Sequence, residues 1–133
     1  MKPNFSGTWR FNRAKSRLEI PAPDDTTLSV KHHDPAFELT RTHVIDGTPD
    51  TVTLVLRTDG IETRHAVRES AVRARVHWEP ADLVFDSTIE RGTASAHNVV
   101  RYRLPDRDTL VADERFRSDE GSYDNLWWFD RLT

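Results

Sequence analysis

The sequence predicts an all-β protein, an antiparallel up-and-down barrel of about ten strands (eight to ten) with at most a short helical turn after the first. Three observations carry this. Short runs of alternating apolar and polar residues recur at roughly 10–12-residue spacing, as half-buried strands do. The separators between them are turn formers, and no long helical period interrupts the series.

The first run, Phe5-Ser6-Gly7-Thr8-Trp9-Arg10-Phe11, puts Phe5, Gly7, Trp9 and Phe11 on one face, because successive strand side chains point to opposite sides. Residues 12–20 have room for one helical turn, which Pro21 and Pro23 end. That connection is too long for a hairpin and is expected to cover one end of a barrel. Further strands are predicted near 27–32, 37–45, 50–58, 61–68, 71–79, 82–90, 94–104, 108–117 and 122–130. Between them lie Asp34-Pro35, Asp46-Gly47, Asp59-Gly60, Glu79-Pro80, Arg91-Gly92, Pro105-Asp106 and Glu120-Gly121. The two Asp-Gly pairs predict tight hairpins, since type I′ turns need positive φ. In the last run, Leu126-Trp127-Trp128-Phe129 is expected to close the barrel beside the first strand, with one Trp packed near Trp9.

Composition narrows the classes. The 133 residues suit a single domain spanning 1–133 with a real core, and 36% hydrophobic beside 31% charged residues fits a sheet with one wet face. Four Trp, six Phe and two Tyr argue against disorder. A net charge of −3 with scattered Lys and Arg argues against nucleic-acid binding. The absence of cysteine removes disulfides and thiolate chemistry. With no apolar signal-peptide core and no membrane-length apolar run, the expected compartment is the cytoplasm.

Strand parity selects the inner face. Leu28, Val30 and His32 fall there, as do Phe37, Leu39, Arg41 and His43; Val52, Leu54 and Leu56; and Ile61, Thr63, His65 and Val67. The face continues through Val72, Ala74, Val76 and Trp78, then Leu83, Phe85, Ser87 and Ile89, then Ala94, Ala96, Asn98, Val100 and Tyr102. It ends with Leu110, Ala112, Glu114 and Phe116, and with Tyr123, Asn125, Trp127 and Phe129.

Gly7-x-Trp9 on a first strand, preceded by Phe5 and followed by some ten strand-like runs, resembles the calycin superfamily of lipocalins and fatty-acid-binding proteins. Phe-Ser-Gly-Thr-Trp-Arg-Phe is similar to the opening strand of fatty-acid-binding proteins. The resemblance implies an up-and-down barrel whose interior holds a small apolar or amphipathic molecule. It also implies an Arg at the end of the last strand lying across the first-strand Trp, a role that falls to Arg131. The chain departs from fatty-acid-binding proteins at Ser16-Arg17-Leu18, where they have a helix pair, and at Tyr123-Asp124-Asn125-Leu126-Trp127, which lacks their Arg-x-Tyr carboxylate clamp. In proportion the chain is also similar to bacterial lipocalin-like proteins of unassigned function and to haem-binding nitrobindin barrels.

The leading expectation is therefore a container for a small, largely apolar molecule, with Phe85 and Trp78 as apolar walls. Arg41, His65, Asn98, Tyr102, Glu114 and Tyr123 are its polar groups. Glu114 stands out, because a carboxylate on an inner face is costly unless partnered. The alternative is a small cofactor-independent enzyme, an isomerase, cyclase or hydratase, with Glu114 as acid or base and His32 and Tyr102 as partners. A haem-binding barrel is a third reading, resting on the inner-face His32, His43 and His65, although no close metal-ligand spacing supports a metal site. No cofactor is expected, no nucleic acid and no membrane, and the chain is expected to be a monomer or homodimer.

Overall fold

The computed structural model describes residues 2–132. Ten strands follow in order: β1 (Gly7–Phe11), β2 (Asp25–His33), β3 (Ala36–Ile45), β4 (Thr48–Arg57) and β5 (Thr63–Val67), then β6 (Ser70–Glu79), β7 (Asp82–Arg91), β8 (Ala94–Asp106), β9 (Thr109–Ser118) and β10 (Gly121–Arg131). One 3-10 turn, Arg13–Lys15, follows β1, capped by the Asn12 side chain accepting from Lys15 N at 3.2 Å. The strands form one antiparallel sheet in the order β4-β3-β2-β1-β10-β9-β8-β7-β6-β5. The up-and-down barrel read from the sequence is thus the observed architecture, and β10 lies beside β1 with Trp9 opposite Arg131 and Phe11 opposite Phe129.

Closure is incomplete at one place. Asp46 and Gly47 both have positive φ, 51° and 77°, and turn β3 into β4 with Ile45 opposite Thr48, as the Asp-Gly pair predicts. Asp59-Gly60 behaves differently. Asp59 is held by Arg57 and by Ile61 N, and Gly60 N donates to Val76 O at 2.9 Å, so the chain steps across to β6 instead of pairing β4 with β5. Ile61, expected inside, is 56% exposed because it lies in this step and not on a strand. An Arg68–Asp50 ion pair reaches from the turn after β5 back to β4.

The inner face is the one parity selects, except at strand ends such as Ala94 and Tyr123, which are exposed because the barrel rim leaves them uncovered. Trp9, Leu28, Val30, Phe37, Leu39, Leu56, Ala74, Val76, Leu83, Phe85, Leu110, Ala112, Trp127 and Phe129 form a continuous buried cluster. Outside, arginines pair with acids on neighbouring strands, among them Arg73 with Glu90, Arg101 with Asp82 and Arg117 with Asp124.

Trp9 anchors one end. Its indole Nε1 donates to Phe5 O at 3.0 Å, and Phe5 and Trp9 are both buried, with Gly7 between them at φ 143°, a backbone angle that favours glycine. The group over the Trp9 ring is the Arg131 guanidinium, 4.1 Å from its centroid, as the resemblance implies. Among the described residues neither Trp127 nor Trp128, one of which is the expected neighbour, makes a ring contact with Trp9. Trp127 takes the inner parity of β10 and packs on Phe11 and Phe129. Trp128 takes the outer parity, where Lys15 covers it.

Residues 12–24 form a strap over the other end. Arg17 pairs with Leu126 through two backbone hydrogen bonds, Ser16 Oγ accepts from Trp128 N, and Asp24 N donates to Val44 O. Leu18, Ile20 and Ala22 pack down on the core.

Candidate ligand-binding site

A cavity of about 520 Å³ occupies the barrel between the Trp9 core and the strap. Its walls are mostly apolar: Leu28, Leu39, Leu54, Phe85, Val100 and Phe129, with Ile20, Pro21, Ala22 and Pro23 as the cover. Arg41 and Ile45 line it and yet remain exposed, which marks the mouth between the strap and β3. The volume falls inside the roughly 300–1,000 Å³ of small-molecule sites.

Glu114 is the polar centre. Parity on β9 turns it inward with Leu110 and Ala112, and there its carboxylate accepts three N–H groups. Asn98 Nδ2 on β8 donates to Oε2 at 2.9 Å; Asn125 Nδ2 and Trp127 Nε1 on β10 donate to Oε1 at 3.0 and 2.9 Å. The cradle is built by register, because Glu114 sits directly opposite Asn125 and next to the strand that carries Asn98. Hydrogen bonds to a charged acceptor are worth about 1.5–3 kcal/mol each, which offsets the cost of taking the carboxylate out of water.

Around it stand Tyr102, His43, Thr26, Ser87 and Arg41. Burial, then the Glu114 charge, pushes the Tyr102 phenol up to about 12, so it stays protonated and able to donate. Burial, then the Arg41 charge, lowers His43 to about 4 against the opposing pull of Glu114, so this imidazole is neutral at neutral pH. Its Nδ1 lies 2.6 Å from Thr26 Oγ1 and its ring stacks on Trp127 with centroids 5.8 Å apart.

The structure therefore gathers Arg41, Phe85, Asn98, Tyr102 and Glu114 around one cavity, and leaves four other sequence candidates off its lining. His32 and Trp78 lie at the Trp9 end. His32 Nδ1 accepts from Phe5 N at 3.1 Å and Nε2 donates to Asp34 Oδ1 at 2.6 Å, while Trp78 Nε1 donates to Asp34 Oδ2 at 3.2 Å. With both ring nitrogens committed and the ring packed on Phe5, His32 is a structural clamp and no partner for Glu114. His65, on the short β5 beside the open step, bonds Thr63 Oγ1 at 2.8 Å. Tyr123 is 38% exposed and stacks on Phe116 near the end of the barrel. Thus His32, His43 and His65 do not converge.

Two contributors were hidden from parity reading. Thr26 lies one step before the predicted start of β2, though on the same parity as Leu28. Trp127 reads as packing, and only the fold shows its N–H reaching Glu114.

The chain matches no family model, and no curated protein matches it by sequence. Solved structures do match. Secretory abundant heat soluble protein 4 from Ramazzottius varieornatus superposes with a TM-score of 0.66 at 13% identity, over 100% of this chain and 99% of that one. Human cRBP IV gives 0.63 at 14% identity, over 98% and 99%. Zebrafish ileal bile acid-binding protein, in complex with cholic acid, gives 0.62 at 13% identity, over 96% and 98%.

The fold, a ten-stranded antiparallel up-and-down barrel, is the one these structures share. At these identities the likeness is one of fold. In this chain the barrel carries a strap with a single 3-10 turn and a carboxylate held in an interior cradle of three N–H donors.

Proposed function

We propose that this barrel binds a small, largely apolar molecule in its interior, oriented by the polar groups around Glu114. The observation that carries the reading is the cavity: its size, its apolar walls and a few convergent polar side chains are the features of a ligand site. The strap supports it, because Ile20 to Pro23 shield a ligand from water while Arg41 and Ile45 leave a way in. The fold likeness to a barrel solved with cholic acid is consistent with the same use of the interior. Acid–base turnover has less support: Glu114 holds three N–H donors and His32 is committed elsewhere.

Native mass spectrometry of the protein as purified, with Nile red titration of the delipidated chain, tests the reading. The expected result is a co-purified small molecule or saturable dye uptake near one per chain, lost in Ser87→Trp, which fills the cavity from β7. Neither ligand nor dye uptake in the wild type would refute it, and so would uptake that Ser87→Trp leaves intact.

A further inference from the structure

We propose that the cavity selects an apolar molecule whose polar end donates hydrogen bonds, an alcohol or an amine, and disfavours a carboxylate at that end. The inference rests on the binding reading above and names the ligand class. Glu114 is a cavity carboxylate whose three partners are all neutral N–H groups, and among the ion pairs of the described residues none involves it. Its charge is therefore hydrogen-bonded but not neutralised.

The oxygens differ. Oε1 accepts from Asn125 and Trp127, whereas Oε2 accepts from Asn98 alone. A carboxylate oxygen has two lone pairs, so Oε2 keeps one acceptor position. The Oδ1 of the same Asn98 amide is shielded and does not face the cavity, so the acceptor left for a ligand is the one on Glu114. An acceptor position left on a charged oxygen, in a largely apolar cavity, asks for a donor from the ligand. Ser87, opposite Asn98 in the sheet, and the protonated Tyr102 hydroxyl stand on the same wall system, so an alcohol oxygen has a donor to accept from while its own hydrogen goes to Glu114. An ammonium supplies the missing counter-charge instead. A ligand carboxylate at this place meets a like charge in a poorly solvated site. Arg41, the cation of the cavity wall, is exposed at the mouth, where water already solvates it.

The test is displacement of Nile red from the full chain at neutral pH by three probes that share one apolar tail: dodecan-1-ol, dodecylamine and dodecanoate, each below micelle formation. At least one donor-ended probe is expected to bind about tenfold more tightly than dodecanoate, and which one does so tells hydroxyl from ammonium recognition. Glu114→Gln is expected to shrink that preference to about threefold or less, with circular dichroism confirming the fold; Glu114→Ala is the second variant, expected to shrink it likewise. Dodecanoate binding that equals or exceeds both others overturns the inference while leaving the binding reading intact, most directly if Arg41→Gln abolishes it. A preference unchanged in both Glu114→Gln and Glu114→Ala also overturns it. Failure of dye and all three probes to bind overturns the binding reading itself, and this inference with it.

Discussion

Asn125 joins Glu114 to the strap: its Nδ2 donates to Glu114 Oε1 at 3.0 Å while its Oδ1 accepts from Glu19 N at 2.8 Å. Glu19 returns the contact, its Oε1 accepting from Asp124 N. One side chain, 4% exposed, thus ties the cavity's carboxylate to the cover over the cavity. Asn125→Ala removes both bonds and is expected to cost about 1–3 kcal/mol, the usual penalty for stranding buried polar partners. Urea denaturation measures that loss. Amide exchange at residues 17–20 is expected to speed up more than at β7, because the strap loses its hold; equal acceleration everywhere would show that Asn125 acts only on global stability.

Trp9 is a stability residue. It is fully buried, hydrogen-bonded through Nε1 to Phe5 O and covered by Arg131, and it does not line the cavity. Trp9→Ala is expected to cost about 3–5 kcal/mol as a large core truncation, read by urea denaturation. Dye binding measured well below the transition should survive. A fully stable Trp9→Ala protein that had lost only binding would reassign this end of the barrel to function.

The container was legible in the sequence because its signals are local. Alternation along β7 places Leu83, Phe85 and Ser87 inside whatever the neighbouring strands do, and Asp46-Gly47 carries its own turn geometry. Glu114 was legible for the same reason, through its parity with Leu110 and Ala112. What surrounds it was not. That Trp127 and Asn125 reach Glu114 depends on the β9–β10 register, and that His32 belongs to Asp34 and Phe5 depends on how the N-terminal segment crosses β2. Parity tells inside from outside but not height along the barrel axis, so His32 and Glu114 looked like neighbours when they are not. Asp59-Gly60 misled in the complementary way: its composition suits a hairpin, but the backbone of Gly60 is claimed by Val76 across the open step.

His43 sets an acid limit on stability. Its folded pKa, about 4, lies below the ordinary value near 6.5, first because the ring is buried and then because Arg41 is close. The unfolded chain therefore takes up a proton at a pH where the folded chain does not, so stability falls as pH drops from about 6.5 through about 4. Melting temperatures across this range should decline less steeply in His43→Gln than in the wild type. Identical slopes would mean that the carboxylates alone account for the acid loss.

Tyr102 reports on the Glu114 charge. Burial raises its phenol first, Glu114 raises it further, and Arg41 opposes, leaving it at about 12. In a Tyr123→Phe background Tyr102 is the only tyrosine, so ultraviolet difference titration follows a single phenol. It is expected to ionise near 12 or together with alkaline unfolding, and the two are separated by circular dichroism at each pH. Glu114→Gln, which keeps the shape and deletes the charge, should move that ionisation to lower pH. Arg41→Gln should move it up. If neither substitution shifts the titration, the two charges do not act on Tyr102 across the cavity, and burial alone sets its proton.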